Sequence, residues 1–443
     1  MAGERTYDWR QLKDRWQRAD VLIRTWWDAD LRRAGEDEVR DPHCNQVWFV
    51  DDEHRAREQK GAAADAFTLL YLPFPYVSAG GSEAAFPEMY CWDIPFINRA
   101  LLLHGRPEIV RHHLLNHLFL IDRYGFVLTG NRTYYLTRSQ TPLLADAVVR
   151  YVRHTGDRDM LLRAYPSLRH EYEYYWVAPP HLTATGLSTN VDAGDTRLRP
   201  ELAAEAESLD FTPIYDGDIR QCVPLQLNCA LVRYEESLAW IAQQIGRPDE
   251  EQLWLGRADK RKGLIRQYCW DRAVGFFFEY SITRASRLPF WSLAGFWAMW
   301  AGVATREDAQ AMAAHLRRFA FPFGLTETDC AYASPHPEFT WLQWGYPSAW
   351  PPSQMIVVEA LDRYGFHAEA EEVAGAYVRC QLEEFDRTGR FWEKYNGVEG
   401  SSRLPRERTP CVPMHGWSTA SVVWLGHRLF GAHGSPVAPG NMP

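Results

Sequence analysis

The sequence predicts an all-α fold in which helices pair into hairpins and close into one barrel. Amphipathic segments with apolar residues at helical spacing recur along the 443 residues. Short turns that contain glycine join neighbouring segments, as at Thr155-Gly156 and Ile245-Gly246. Longer loops rich in Pro, Trp and Tyr separate these pairs. The chain lacks the strict repeat period of an open solenoid, which leaves a closed ring of paired helices as the simplest architecture.

Each predicted helix has an apolar face, and several have Asp, Glu or Pro near the start and glycine after the end. The predicted helices cover residues 8–33, 106–124, 143–154, 157–175, 225–245, 249–269, 290–304, 306–319, 352–364, 368–385 and 417–429. Strand signals are few and short, as at residues 275–280 and 323–328. No Gly/Ser-rich linker marks a boundary, so residues 1–443 are predicted to form a single domain.

The net charge of −9 argues against a nucleic-acid partner, because proteins that bind nucleic acids are usually basic. The longest apolar run, residues 290–304, is too short to span a bilayer, so no membrane association is expected. The N-terminus is charged and has no apolar signal core, and the eight cysteines form no CxxC pair. These features predict a cytoplasmic protein with reduced cysteines, and they are compatible with a homo-oligomer.

One loop between predicted helices, GNRTYYLTRSQTP at residues 130–142, has an unusual composition. Arginine presents five donors in a rigid fork, and tyrosine offers a flat apolar face with a hydroxyl at its tip. These groups suit a small ligand covered in hydroxyls, such as a sugar. The alternative is a loop whose arginines pair with nearby carboxylates. The 19 Trp, 21 Tyr and 21 Phe residues also indicate that some aromatic rings line a pocket.

Five segments, in one order along residues 86–426, resemble motifs of the trehalase family. GNRTYYLTRSQTP resembles the GNR-YY-RSQPP pattern, MYCWDIPF the ESY-WDSYW segment, and QWGYPSAWPP the QWD-PNGWAP segment. FWEKYN is similar to the EKYD segment and GWSTASVVWL to the GFGWTNGV segment. The resemblance implies glycoside hydrolase family 37 or the related family 63, an (α/α)6 toroidal barrel of six helical hairpins, and hydrolysis with inversion. No metal or organic cofactor is expected, because two carboxylates supply the proton transfers.

Three departures from the trehalase pattern bear on the substrate. Gly345 stands where trehalases have Asp in the QWD motif, and the chain is shorter than typical trehalases. Trehalases have their acid in an ESGWDFSSRW segment, for which this chain has GLSTNVDAGDTRLRPE at residues 186–201. These features resemble compact family 63 enzymes that hydrolyse mannosylglycerate and glucosylglycerate. The first prediction is therefore a mannosylglycerate or glucosylglycerate hydrolase. Trehalose is the second choice of substrate, and a non-catalytic sugar-binding protein is the third hypothesis.

Inverting hydrolysis needs a protonated acid beside the leaving oxygen and a carboxylate base that activates water on the opposite sugar face. Glu393 matches the base of the EKY motif, and the alternative is a surface glutamate paired with Lys394. By alignment, Asp192 is the predicted acid, because its neighbours favour a protonated carboxyl. Asp195 is the second candidate, since the nearby Arg197 favours its ionised form. The alternative for either aspartate is a turn or a helix cap.

Other motif residues are predicted to bind a small glycoside. The resemblance assigns Asp93 to sugar hydroxyls, and tryptophan rings offer stacking platforms. The predicted substrate-binding residues are Tyr90, Trp92, Asp93, Asn131, Arg132, Gln140, Arg197, Trp344, Trp350, Tyr395 and Trp417. A glycerate carboxylate would need a cation, for which Arg132, Arg197 and Arg199 are the candidates.

Overall fold

The computed structural model describes residues 8–33, 69–83, 85–132, 135–192, 199–336, 342–405 and 410–431. Its helices are α1 (Trp9–Trp26), α2 (Ile94–Leu103), α3 (Pro107–Tyr124), α4 (Leu144–Thr155), α5 (Arg158–Glu171), α6 (Pro200–Glu205), α7 (Leu225–Gln244), α8 (Pro248–Cys269), α9 (Trp297–Trp300), α10 (Arg306–His315), α11 (Pro351–Arg363), α12 (His367–Thr388) and α13 (Gly416–Phe430). A π-helical segment, Tyr172–Trp176, continues α5.

Six of these helices form an inner ring: α2, α4, α7, α9, α11 and α13. Each packs against the next in that order, and α13 closes the ring on α2. The ring helices are largely buried around their circumference, as expected for helices that are covered on every side. Helices α3, α5, α8 and α12 each follow a ring helix and pack against it from outside, and α1 covers α13. This arrangement confirms the predicted (α/α)6 barrel.

The strands are short antiparallel pieces in the connecting loops. They are β1 (Leu31–Arg32), β2 (Tyr76–Val77), β3 (Cys222–Val223), β4 (Trp270–Asp271), β5 (Phe276–Phe277), β6 (Tyr280–Ser281), β7 (Ser286–Arg287), β8 (Ala320–Phe321), β9 (Gly324–Leu325), β10 (Ser348–Ala349) and β11 (Tyr395–Asn396). The β10–β11 pair places Ser348 opposite Asn396 and Ala349 opposite Tyr395. This register joins two of the aromatic-rich loops identified in the sequence.

The predicted helix over residues 290–304 is shorter than expected. The structure has a 3₁₀ turn at Leu293–Phe296 and one α-helical turn, α9. At Gly295 a Cβ atom would lie 2.6 Å from the ring of Phe276, so the backbone passes closer to that ring than a residue with a side chain allows. The chain leaves the helix at Gly302, whose φ of +69° is a left-handed conformation suited to glycine. Apolar periodicity marks this segment as buried and does not reveal the tight packing that ends its helix.

A network of ion pairs joins five of the six ring helices inside the barrel. Glu359 of α11 accepts hydrogen bonds from Arg150 of α4 at 2.9 Å and from the Trp300 indole of α9 at 2.8 Å, and it pairs with Arg99 of α2 at 3.2 Å. Asp146 of α4 accepts from Arg150 and also, at 2.5 Å, from Arg233 of α7. The Arg99 side chain is only 5% exposed. The charges therefore compensate one another in a largely water-free interior.

No helix among the described residues is long and apolar enough to cross a membrane. The prediction that residues 1–443 form a single domain stays a prediction.

We expect Glu359→Ala to lower the free energy of unfolding by about 3–5 kcal/mol, because it leaves Arg99 and Arg150 without their shared carboxylate. Urea unfolding followed by circular dichroism measures the change. Glu371→Ala, at an exposed position of α12, is the matched control and should stay within about 0.5 kcal/mol of the wild type. A loss below about 1 kcal/mol in Glu359→Ala would show that the network does not hold the ring together.

A second prediction concerns Glu279, which is buried and accepts a hydrogen bond from the backbone N–H of Leu225 at the start of α7 at 2.8 Å. Burial raises the pKa of Glu279 to about 8. The folded state therefore holds this proton after the unfolded chain has released it, and the stabilisation is lost as the pH rises from about 4.5 to about 8.

Glu279→Gln, which cannot ionise, should flatten the decline of stability over this pH range by up to about 1.4 kcal/mol per pH unit. Thermal unfolding at pH 5, 6, 7 and 8 measures the slope for the variant and the wild type. Glu399→Gln removes an exposed carboxyl and should leave the slope unchanged. Equal slopes in Glu279→Gln and the wild type would contradict the prediction.

Candidate active site

The loops that lead into five ring helices surround one cavity of about 810 Å³, a volume that includes space open to solvent. Its walls come from the segments before α2, α4 and α11 and from the start of α13, together with the loop between α6 and α7. The cavity brings together these predicted residues: Tyr90, Trp92, Asp93, Gln140, Trp344, Trp350, Glu393 and Trp417. The predicted gathering of aromatic-rich loops around one site is therefore what the structure shows.

Glu393 lies in this cavity and is held on three sides. Its backbone N–H donates to the Val412 carbonyl at 2.9 Å, and its own carbonyl accepts from the Trp417 indole at 3.0 Å. Its carboxylate accepts a hydrogen bond from the Lys394 ammonium at 3.2 Å. The pairing with Lys394 that the sequence offered as an alternative is thus present, but both residues are buried, so it is not a surface ion pair.

A second carboxylate of the cavity, Asp210, was not singled out in the sequence. Its Oδ2 accepts from the side-chain amide of Gln343 at 2.5 Å, and its Oδ1 accepts from the Trp344 indole at 2.7 Å. Two donors from one loop therefore fix the orientation of this carboxylate. Both donors are neutral groups, whereas the partner of Glu393 is a cation.

The predicted acid, Asp192, does not line the cavity. Its carboxylate is buried, accepts from the guanidinium of Arg138 at 3.1 Å and from the Thr137 hydroxyl at 2.9 Å, and thus lies behind Arg138. The second candidate, Asp195, is outside the described residues. The structure therefore places Asp192 where it supports a cavity residue rather than where it meets a substrate.

The missed residue has a signal in the sequence. Residues 207–211 read ESLDF, which matches the ESGWDF start of the trehalase acid segment with one residue fewer. The earlier alignment to residues 186–201 kept no such match. A deletion of one residue shifts so short a motif out of register with the family pattern.

Asp93 precedes the first residue of α2 and is buried beside both other carboxylates. Burial, followed by the negative charges of Glu393 and Asp210, raises the pKa of Asp93 well above its usual range. The three carboxyls therefore share one small volume. In such a group the ionisation of one opposes that of its neighbours.

The tryptophans of the site pack on one another. Trp344 and Trp350 are stacked in parallel, with ring centroids 4.0 Å apart and 3° between the planes. Trp92 contacts Trp344 and Trp417 with centroids 5.5 Å away in each case. The predicted platforms thus form one aromatic wall.

Three predicted binding residues lie elsewhere. Asn131 is buried, and its side chain fixes the backbone of two neighbouring segments. Its Oδ1 accepts from the N–H of Met89, and its Nδ2 donates to the carbonyl of Leu70. Arg132 pairs with Glu88 and does not line the cavity.

Tyr395 is buried next to Tyr377, and its hydroxyl accepts from the backbone N–H of Trp392 at 3.0 Å. Arg197 is outside the described residues, and Arg199 pairs with Glu201 on the surface.

Arg138 is the only cation among the described residues that line the cavity, which also include the four carboxyl side chains of Asp93, Glu207, Asp210 and Glu393. Its guanidinium lies 3.0 Å from Glu207 and is also bonded to Asp192. Burial raises the pKa of Glu207 to about 8 despite this cation. The described cavity wall therefore has more acidic than basic groups.

One group outside the cavity, formed by Asp20, His104 and His427, has the residue types of a metal site. His104 Nδ1 accepts from the Trp27 indole at 2.8 Å, so Nε2 carries the hydrogen and donates to Asp20 at 2.9 Å. A metal at Nε2 would have to displace this hydrogen bond. We interpret the group as a buried polar contact between α1 and the ends of α2 and α13.

The trehalase family model matches residues 36–210 and 207–425 of the chain. The periplasmic trehalase of Pseudomonas aeruginosa is 30% identical over 476 residues, which cover 95% of this chain and 83% of that protein. A probable trehalase of Eremothecium gossypii is 31% identical over 394 residues, which cover 74% of this chain and 53% of that protein. The chain spans about half the length of the fungal relatives that it matches.

Two solved structures have folds similar to that of this chain. Neutral trehalase from Saccharomyces cerevisiae superposes with a TM-score of 0.78 at 24% identity and covers 95% of both chains. A family 63 mannosylglycerate hydrolase from Thermus thermophilus superposes with a TM-score of 0.57 at 17% identity and covers 85% of this chain and 99% of that one. The match to the family model and the relatives of the same name lead to one conclusion: the chain belongs to the trehalase family, glycoside hydrolase family 37.

Proposed function

We propose that the protein is a trehalase, which hydrolyses the α,α-linked disaccharide trehalose to two glucose molecules with inversion at the attacked carbon. The observation that supports this most is the pair of cavity carboxylates, Asp210 and Glu393, each held in place by hydrogen bonds. The family relatives named as trehalases support the same choice. The mannosylglycerate hydrolase predicted first is not supported by the comparisons, which favour trehalase.

Glu393 is proposed as the base. The Lys394 ammonium compensates its charge, so the carboxylate can be ionised when it takes a proton from the attacking water. As the water oxygen bonds to the anomeric carbon, the bond from that carbon to the bridging oxygen breaks.

Asp210 is proposed as the acid, in place of Asp192. Its carboxylate is oriented by the Gln343 amide and the Trp344 indole, and it lies near the acidic groups of Asp93 and Glu207. Carboxyl groups crowded in this way do not all ionise readily. Asp210 gives its proton to the bridging oxygen, which leaves as a glucose hydroxyl. The proton gained by Glu393 balances the one lost by Asp210.

The charge of the cavity favours a neutral substrate. Among the described lining residues four carboxyl groups face one guanidinium, and that guanidinium is already bonded to Glu207 and Asp192. A glycerate carboxylate would need a cation as partner, and the guanidinium of the cavity already has two carboxylate partners, whereas trehalose carries no charge and needs none.

The remaining cavity side chains are proposed to bind sugar hydroxyls and ring faces. Asp93 and Gln140 offer oxygen and nitrogen atoms to hydroxyls, and Trp92 and Trp417 offer edges and faces for the apolar side of a glucose ring. The cytoplasmic location stays a prediction, since both cytosolic and periplasmic relatives match the chain. The homo-oligomer also stays a prediction.

The roles of the two carboxylates can be separated with α-glucosyl fluoride, whose leaving group needs no protonation. We expect Asp210→Asn to lower kcat on trehalose by about 10²–10⁴-fold and to retain most activity on the fluoride. Glu393→Gln should lose activity on both substrates by a similar factor, because water activation is needed for each. Initial rates on the two substrates give, for each variant, the ratio of activity on the fluoride to activity on trehalose.

Asp192→Asn is the matched control for the acid. It acts through Arg138, so any loss should be the same for trehalose and the fluoride. If Asp192→Asn shows the selective loss on trehalose and Asp210→Asn does not, the acid assignment is wrong. If both Asp210→Asn and Glu393→Gln retain wild-type turnover, the protein is not a hydrolase of this type.

The substrate proposal is tested by measuring kcat/KM for trehalose, mannosylglycerate and glucosylglycerate under identical conditions. We expect trehalose to be preferred by at least about 100-fold, because the one cation among the described lining residues, Arg138, is already bonded to Glu207 and Asp192 and does not replace the water that an anionic glycerate loses. A preference for either glycerate would reject the trehalase proposal. Tight binding of a sugar with no turnover of any would instead indicate a sugar-binding protein.

A further inference from the structure

Lys394 is a buried cation next to the proposed base. Its side chain has no exposed surface, and its ammonium donates to Glu393 Oε2 at 3.2 Å. The ammonium also lies over the face of the Trp350 ring, 4.5 Å from the ring centroid. A buried ammonium is costly unless it is paired, and both of these contacts offset that cost.

The strand register explains why these groups meet. Ala349 of β10 pairs with Tyr395 of β11, so the next residue on one strand, Trp350, comes opposite the preceding residue on the other, Lys394. The chain bends at Glu393, which lets neighbouring side chains turn toward each other. Lys394 is not among the residues that line the cavity, so it lies behind Glu393.

The same stack reaches the proposed acid. Trp350 stacks on Trp344 at 4.0 Å, and the Trp344 indole donates to Asp210 at 2.7 Å. The Trp350 indole donates to the carbonyl of Gln343, the residue whose amide holds the other oxygen of Asp210. A continuous set of contacts thus runs from the ammonium at one carboxylate to the two donors at the other.

We propose that Lys394 is a positioning residue that keeps Glu393 ionised and oriented, and that the Trp344–Trp350 stack fixes this ion pair relative to Asp210. The inference rests on the proposed function, because it concerns the same two carboxylates. It assigns the charge and the orientation of the base to the ammonium that bonds to it.

Other charged groups act on Glu393. Asp93 is an acidic neighbour of Glu393 in the cavity, and the charge of Glu393 contributes to the raised pKa of Asp93. Lys394 is the cation that bonds directly to it. Removal of the ammonium takes away the cation that bonds to this carboxylate, so in the variant Glu393 should take up a proton at higher pH than in the wild type.

The test is the pH dependence of kcat/KM for α-glucosyl fluoride, which does not depend on the acid. In Lys394→Met, the midpoint of the acidic limb should move up by roughly 1–3 pH units, because a paired cation shifts a carboxyl by about that much. At about one pH unit or more below the new midpoint, kcat should be at least about tenfold lower than its plateau value, with KM little changed. Lys394→Arg should restore part of the shift.

Lys262→Met is the matched control, because it removes a lysine that pairs with Glu236 on α8 and α7, away from the cavity. Its pH profile should match the wild type. Trp350→Phe keeps an aromatic ring with a weaker attraction for cations and should give a smaller shift in the same direction. It is the second variant should Lys394→Met fail to fold.

The outcomes separate the two proposals. If the wild type hydrolyses neither trehalose nor the fluoride, the proposed function fails. If the wild type is active and both Lys394→Met and Trp350→Phe keep its acidic midpoint, the role of Lys394 is rejected and the proposed function stands.

Discussion

The buried ion network between the ring helices is the interaction on which the rest of the structure depends. Glu359 and Asp146 share arginines that come from α2, α4 and α7, so the charges of four helices, joined by the Trp300 indole of a fifth, are satisfied only when these helices pack together. An apolar interior tolerates many packings, whereas a set of buried charges has few arrangements that compensate all of them. Ring closure in turn brings the starts of α2, α4, α11 and α13 around one cavity.

The chemistry of the site follows from what those helix starts bring with them. Asp93 lies at the beginning of α2, and Trp350 and Trp417 lie at the beginnings of α11 and α13. The loops before the helices supply the two carboxylates. Glu393 is bonded to an ammonium, and Asp210 accepts hydrogen bonds from an amide and an indole. Two similar side chains can then hold different numbers of protons at one pH, which acid–base hydrolysis requires.

The sequence predicted the features that depend on local order. Helical periodicity gave the hairpins, and contiguous motifs gave Glu393, Asp93 and the tryptophans that line the cavity. Predictions from the sequence were wrong where the direction of a side chain, or a partner distant in the sequence, determines which contact a residue makes. Asn131 and Arg132 belong to the loop whose composition suits a sugar ligand. In the structure, Asn131 accepts from the backbone N–H of Met89 and Arg132 pairs with Glu88.

Two other features could not be predicted from local order. Asp210 was missed because its motif is one residue shorter than the family pattern. Glu359, which pairs with Arg150 between two ring helices, lies 209 residues further along the chain, and no local pattern connects the two.

The central claim is that two separated carboxylates invert the attacked carbon, and the anomeric form of the first product tests it most directly. Proton NMR, recorded within minutes of adding enzyme to trehalose and before mutarotation, distinguishes α- from β-glucose. Inversion predicts equal initial amounts of the two anomers, since the attacked glucose is released as β and the leaving glucose stays α. Initial release of α-glucose alone would show retention, and it would contradict the assignment of Glu393 as a base that activates water.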